Sequence, residues 1–192
     1  MKRAGWALAA LLGGLLTLCV SAAPQQAPLP ENAQTCGVDT TRPPQRLFAR
    51  GFEGGWLAVS EEQWKGGTWG QTAALWPAAD GGTFVELSFR AEPGEEFWAQ
   101  FTHYCFGPGG HVLWIESTYN SAAQESRRQR LEFNLAGTAT AHKEECVNPN
   151  TGEARPADEG CKEFNAFPIV KQLESFQFLK RELPGPKLPG PK

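Results

Sequence analysis

The sequence predicts a mainly β domain, in which an antiparallel meander sheet of four or more strands curls as a barrel or sandwich under a C-terminal helix. Runs of alternating apolar and polar residues follow one another from Thr83 to Ala136. Turns rich in glycine and proline separate these runs. Strands joined by short connections usually pair with their sequence neighbours, which favours a meander.

Four strands are predicted, over residues 83–90, 97–106, 111–119 and 130–136. Strict alternation assigns one apolar face to them, made of Val85, Leu87, Phe89, Phe97, Phe101, Leu113, Ile115, Leu131, Phe133 and Leu135. Each such side chain contributes about 1.5–3 kcal/mol when fully buried, so this face suffices for a core once another segment covers it.

The N-terminal residues 1–22 are predicted to be a signal peptide. Lys2 and Arg3 precede an apolar run too short for a comfortable membrane span, and the run ends in the small-residue cleavage pattern Val-Ser-Ala. A lipid anchor through Cys19 is the alternative, but the residue before a lipidated cysteine should be small and Leu18 is not. We therefore expect a secreted or periplasmic protein whose mature chain has no transmembrane span.

Composition divides the rest of the chain into three parts. An extended proline-rich lead is predicted over residues 23–46, a single β-rich domain over 47–182 and a disordered tail over 183–192. The tail repeats Leu-Pro-Gly-Pro-Lys, and its density of proline excludes regular structure. A mature chain of about 170 residues has the usual size for one domain.

The first part of the β-rich domain, residues 47–76, does not separate clearly into strand or helix. The pattern suggests a strand at Trp56–Val59, one helical turn capped by Ser60, and a second strand at Trp69–Trp76.

The predicted C-terminal helix covers Asn165–Glu182. Apolar residues recur there at helical spacing, from Ile169 through Leu173, and a helix would supply a stripe to cover the sheet. Phe176-Gln177-Phe178 in the same stretch leaves a strand as the alternative.

Cysteine content indicates two disulfides. With Cys19 assigned to the signal peptide, an even number remains, as exported domains with disulfides usually have. Sequence proximity favours a bond between Cys146 and Cys161 across a polar loop, and hence a bond between Cys36 and Cys105. A zinc site built from cysteines and His142 is the alternative, but the spacings contain no Cys-x-x-Cys, and we expect no metal.

Charge and motifs exclude several classes of function. Loss of Lys2 and Arg3 leaves 16 basic against 21 acidic side chains, a formal charge of −5. The remaining basic residues form no stripe of the kind that binds nucleic acid. The sequence also lacks the Gly-x-Ser-x-Gly motif of serine hydrolases, the His-Glu-x-x-His motif of zinc proteases, the phosphate-binding loop and the calcium-binding loop. We therefore expect no cofactor.

The predicted ligand-binding residues are aromatic and polar side chains assigned to the second face of the sheet. They are Trp98, Tyr104, Trp114, Gln100 and Glu116. Flat rings flanked by hydrogen-bonding groups suit a sugar, a peptide or a small apolar ligand, so we expect a non-enzymatic binding module for an unknown ligand or envelope component. The structural alternative is that these rings are covered by a second layer and form a core.

Two other functions remain open from the sequence. A hydrolase could use Glu86 and Glu116 as paired carboxylates, or His103 as a base, although alternation assigns His103 to the apolar face beside Cys105. The other possibility is a purely structural cell-envelope protein, with the C-terminal tail as a tether.

Overall fold

The computed structural model describes residues 36–39, 42–121, 126–148, 151–157, 161 and 167–180 of the 192-residue chain. The predicted signal peptide, most of the lead and the C-terminal tail lie outside these residues. The described strands are β1 (Arg46–Arg50), β2 (Leu57–Ala58), β3 (Gln71–Pro77), β4 (Thr83–Arg90), β5 (Trp98–Phe106), β6 (Val112–Ser121), β7 (Ser126–Phe133), β8 (Ala139–Val147) and β9 (Ala154–Pro156). The helices are α1 (Glu61–Gly66) and α2 (Gln177–Lys180).

All of these strands belong to one antiparallel sheet in the order β2-β1-β3-β4-β5-β6-β7-β8-β9. From β3 onward each strand pairs with the next, which confirms the predicted meander. The prediction of a barrel or sandwich is wrong, because the sheet is open, with β2 and β9 at its edges. Both edge strands are very short and β9 ends in Pro156, features that limit further strand addition.

The two faces of the sheet are covered by different parts of the chain. The front face carries Val85, Tyr104 and Ile115, which are neighbours across β4, β5 and β6. They belong to a core that also contains residues of the C-terminal segment, residues 167–180. The back face carries Cys105 and Trp114, which pack in a separate core with the start of the described chain. These two segments therefore cover the faces of the sheet, as a second sheet would in a β-sandwich.

The orientation of β5 is opposite to the predicted one. Phe101 and His103 were expected beside Val85, but the register pairs Val85 with Tyr104 and Glu86 with His103. Because side chains alternate between faces, Phe101 and His103 lie on the back face. Both faces of β5 carry aromatic residues, so hydrophobic alternation alone could not assign them.

β7 ends three residues before the predicted strand end at Ala136. Asn134 begins a turn in which its carbonyl accepts a hydrogen bond from the Gly137 N–H at 2.9 Å, and Gly137 has φ of +73°. The Asn134 side chain also accepts from the Ala136 N–H at 3.0 Å. Leu135 consequently lies at the tip of the turn with 82% of its surface exposed, and not on the predicted apolar face.

The predicted C-terminal helix is present only as the four-residue α2, and the prediction is wrong over residues 167–172. Residues 167–172 are not helical; they lead into a 3₁₀ turn, Leu173–Ser175, and then the four-residue α2. The backbone of this segment instead forms hydrogen bonds with the β5–β6 turn and the start of β6. The Val112 N–H donates to the Lys171 carbonyl at 3.1 Å, and the Leu173 N–H donates to the Gly110 carbonyl at 3.0 Å. Ile169, expected in the buried stripe, is 55% exposed.

The C-terminal segment nevertheless covers the sheet. Phe176 and Phe178 are buried in the front core, with ring centroids 4.9 Å apart. Phe176 meets Tyr104 edge-on at 5.1 Å, and Phe178 lies 5.0 Å from Phe48 on β1. Aromatic pairs at these distances add to the stabilisation from burial.

The back face is covered by the described part of the lead and by α1. The disulfide between Cys36 and Cys105, with a Cα–Cα distance of 5.7 Å, fixes the lead to β5, as predicted. Trp64 of α1 packs against the same core. The predicted cap is also confirmed, since the Gln63 N–H donates to Ser60 Oγ at 3.2 Å.

The second predicted disulfide is confirmed as well. Cys146 at the end of β8 and Cys161 have a Cα–Cα distance of 5.9 Å and close the polar loop that contains β9. Among the described residues, no helix is both long enough and apolar enough to cross a membrane.

Candidate functional site

The predicted ligand-binding residues do not share one surface. Trp98, Gln100 and Tyr104 lie on the front face of β5, whereas Trp114 and Glu116 lie on the back face of β6. The thickness of the sheet separates the two groups, so they cannot contact one small ligand together. The cause is the orientation of β5, which alternation assigned wrongly.

Four of these five side chains are core residues. Tyr104 is fully buried, and Gln100, Trp114 and Glu116 are each at most 5% exposed. Burial of the Tyr104 phenol raises its pKa above the usual value. The same hydroxyl donates a hydrogen bond to the Pro168 carbonyl at 2.7 Å and so joins the C-terminal segment to β5.

Trp98 is the exception among the predicted residues, because it is only half-buried. Its ring stacks on Tyr119 of β6, with centroids 6.0 Å apart and planes inclined by 25°. Gln100 lies deeper on the same face, where its amide donates to Ser117 Oγ at 3.1 Å. This pair of rings is the part of the predicted aromatic face that retains access to solvent.

A row of ionisable side chains crosses the back face in register. Glu86, His103, Glu116 and Arg130 come from β4, β5, β6 and β7 and adjoin one another in that order. His103 Nε2 lies 3.0 Å from Glu86 Oε2, and an Arg130 nitrogen lies 3.4 Å from Glu116 Oε2. The structure thus brings together all three residues that a hydrolase was expected to use.

Aromatic rings hold this row in place. The His103 ring stacks on Phe84 at 5.5 Å, and the Arg130 guanidinium lies 4.5 Å above the Trp114 ring. No more than 13% of the Glu86, His103 or Glu116 side chain is exposed. The row therefore has the hydrogen-bond geometry of acid–base catalysis but lies beneath the surface, where paired charges act as structural contacts.

Two further ion pairs connect β7 to β8, one on each face of the sheet. Arg127 donates to Glu144 at 2.6 Å, and Arg128 donates to Glu145 at 2.8 Å. The hydrogen bond from Arg127 holds the pKa of Glu144 below its usual value, and a hydrogen bond from Lys143 does the same for Glu145. The three arginines of β7 are therefore each paired with a carboxylate on a neighbouring strand.

A cleft lies at the other side of the sheet, between the β1–β2 connection and α2. Its volume is about 410 Å³, and it is lined by Arg50, Gly54, Gly55, Trp56, Gln177 and Lys180. This volume falls within the range of small-molecule sites. Most of the lining residues are exposed, so a ligand has direct access.

The local sequence explains the shape of the cleft. Gly54 adopts a φ of +100°, which favours glycine, and its carbonyl accepts a hydrogen bond from Arg50 Nε at 2.9 Å. The turn brings Trp56 back towards the front face, where its ring meets Phe178 of α2 edge-on at 5.1 Å. One wall is therefore a turn fixed by an arginine, and the other is the short helix.

The cleft is rich in hydrogen-bond donors. Arg50, Lys180 and the indole N–H of Trp56 are donors only, and Gln177 adds an amide. In the part of the chain that the structure describes, neither Arg50 nor Lys180 forms an ion pair, and the Trp56 indole N–H has no hydrogen-bond partner. These donors are available to a bound molecule.

Sequence reasoning missed this cleft because its walls are far apart in the chain. Gly54-Gly55-Trp56 marked a turn followed by a strand, and the other wall was assigned to a long helix that does not form. Long-range contacts of Phe178 with Trp56 and with Phe48 bring the two walls together.

The described residues contain no cluster of three or more histidine, cysteine or acidic side chains placed to hold a metal ion. Comparisons of the chain with protein-family models, with curated proteins and with solved structures find no match.

Proposed function

We propose that the protein is an exported, non-enzymatic binding module whose ligand occupies the cleft between the β1–β2 connection and α2. Export is supported by the predicted signal peptide together with the two disulfides, which form in oxidising compartments. One disulfide fixes the lead to β5 and the other closes the loop that contains β9.

The observation that carries the proposal is the convergence of an accessible tryptophan and unpaired donors on one concave surface. Trp56 offers a flat apolar surface, and Arg50 and Lys180 offer charge at its rim. The predicted aromatic face lacks this combination, since Tyr104 and Trp114 are buried.

The chemistry of the cleft favours binding over catalysis. The six residues that line it include no carboxylate, imidazole, thiol or hydroxyl, so the amine of Lys180 has no acid–base partner among them. The groups suited to proton transfer, His103 and Glu86, lie on the back face and are bonded to each other.

The test is a titration followed by the indole N–H signals of the ¹⁵N-labelled, oxidised mature protein. Trp56→Phe assigns the Trp56 signal. Trp76 provides an internal control, because it is 5% exposed and its indole N–H donates to the Arg42 carbonyl at 3.1 Å. A library of neutral, anionic and cationic fragments is then screened.

A fragment that shifts the Trp56 signal saturably while the Trp76 signal stays fixed supports the proposal. Two results overturn it. Either no fragment moves the Trp56 signal, or every fragment that binds moves the Trp98 signal in its place, which assigns binding to the Trp98–Tyr119 pair.

A further inference from the structure

We infer that the ligand of the cleft carries a carboxylate on a ring with an apolar face, as aromatic acids and uronic acids do. The inference rests on the proposed function, which assigns ligand binding to the cleft, and goes further by naming the chemical class. It is based on which polar groups line the cleft and which are missing from it.

Every charged side chain that lines the cleft is cationic. Arg50 and Lys180 stand on opposite walls, in a mature protein whose formal charge is −5. Cations that share a concave surface without an acidic partner repel each other, and a bound carboxylate relieves that repulsion while accepting their hydrogen bonds. A cationic ligand would add to the repulsion.

The arginine is held in an orientation that suits an oxyanion. Its Nε donates to the Gly54 carbonyl at 2.9 Å, which fixes the guanidinium at the rim and leaves its terminal nitrogens for a ligand. A planar guanidinium matches the two oxygens of a carboxylate. The half-buried Arg50 is therefore the principal anion contact, and the exposed Lys180 is a secondary one.

The ring requirement comes from Trp56. Its indole is half-buried against Phe178, so one part of the ring system is used for packing and the rest remains accessible. Apolar faces of sugars and aromatic rings stack on such a surface. The indole N–H, which has no partner among the described residues, is a further donor for an acceptor-rich ligand.

One acidic group adjoins the cleft in sequence. Glu53 precedes Gly54, is exposed, and forms no ion pair within the described residues. Its negative charge opposes an anion, so Glu53→Gln is expected to strengthen binding of a carboxylate. This variant and Lys180→Gln should therefore change the affinity in opposite directions.

The experiment compares benzoate, benzamide and benzylammonium, which share a ring and carry charges of −1, 0 and +1. Binding to the oxidised mature protein is read from the Trp56 indole signal. We expect benzoate to bind about tenfold more tightly than benzamide, on the scale of one charge-assisted contact. Raising the ionic strength from about 0.01 to about 1 M should remove much of that difference.

Substitutions test whether the preference for benzoate over benzamide depends on Lys180. Lys180→Gln should weaken benzoate binding by about two- to fivefold and leave benzamide unchanged, the range expected for an exposed charge. Lys65→Gln is the matched control, because Lys65 is an exposed helical lysine of α1 that pairs with Glu61 away from the cleft. A second arm compares glucuronate with glucose, to distinguish a sugar acid from an aromatic acid.

A Trp56 signal that responds to benzamide as strongly as to benzoate overturns the carboxylate inference and leaves the cleft as a binding site. The same holds if Lys180→Gln weakens both ligands equally. If neither the fragment library nor these compounds move the Trp56 signal, the proposed function itself fails.

Discussion

Replacement of Arg130 by methionine should strongly destabilise the protein. Arg130 lies 3.4 Å from Glu116, whose side chain is only 4% exposed, and its guanidinium covers the Trp114 ring at 4.5 Å. Removal of one partner of a buried ion pair costs about 3–5 kcal/mol, because the other charge stays buried. Arg130 is itself 20% exposed, so we expect the lower end, about 3 kcal/mol.

The free energy of unfolding is measured by urea titration of the oxidised mature protein, followed by tryptophan fluorescence and linear extrapolation. For a domain of this size, about 3 kcal/mol corresponds to a decrease in Tm of about 6–12 °C. Arg42→Met serves as the control. Arg42 also pairs with a carboxylate, that of Asp39, but its side chain is 80% exposed, so the loss should be at most about 1 kcal/mol.

A double substitution distinguishes loss of the Arg130–Glu116 ion pair from loss of the packing contacts of the Arg130 side chain. If the penalty comes from the buried negative charge of Glu116, adding Glu116→Gln to Arg130→Met should recover at least half of the lost stability. The reasoning is refuted if Arg130→Met costs no more than Arg42→Met, or if the double variant loses the sum of the two single losses.

Three further outcomes are expected from urea titrations of the same kind. Cys36→Ala combined with Cys105→Ala should cost about 4 kcal/mol, from a sequence separation of 69 residues, and a loss below 1 kcal/mol would contradict this. Tyr104→Phe should cost about 1 kcal/mol by removing the hydrogen bond to Pro168, and unchanged stability would contradict it. The pKa of Glu145 is lower in the folded state than its usual value of 4.5 in the unfolded chain. The stabilisation that the ionised carboxylate gives the folded state is therefore fully present above pH 4.5, and it is lost as the pH falls through the lower pKa of the folded state. Glu145→Gln should therefore flatten the decline in stability below about pH 4.5, and a profile parallel to the wild type would refute the pairing.

The meander could be predicted from the sequence because strand pairing between neighbours depends on local signals. Alternation located β4 closely, and a glycine-rich turn marked the end of β5 and the start of β6. The C-terminal segment could not be predicted in the same way. Spacing from Ile169 onward fits a helix, but backbone bonds to Gly110 and Val112 favour an extended chain there, and such bonds are invisible to a local pattern.

The candidate sites depended on information that the sequence does not carry. One uncertain strand orientation, that of β5, moved His103 to the same face as Glu86 and separated Trp98 from Trp114. A single-residue change of register inverts every side chain in a strand, so an error at one strand changes the composition of both faces. The cleft needs the contact between Trp56 and Phe178, a long-range event without a sequence motif.

The two covers of the sheet also determine the order in which the protein can fold. Sheet pairing joins neighbours in sequence, but Tyr104 and Pro168 are 64 residues apart, and Cys36 and Cys105 are 69 apart. Contacts of this separation form late, because closing long loops loses chain entropy before the contact is made. We expect stopped-flow refolding to show sheet formation before docking of the C-terminal segment, and simultaneous formation would contradict this.

For an exported chain this order has a biological consequence. If the chain is exported unfolded, the segment that covers the front face emerges after β5 and β6, so Phe106 and Ile115 stay uncovered until it docks. An apolar sheet face exposed in this way is prone to aggregation. The front face is therefore the surface on which aggregation would begin if docking of the C-terminal segment were delayed.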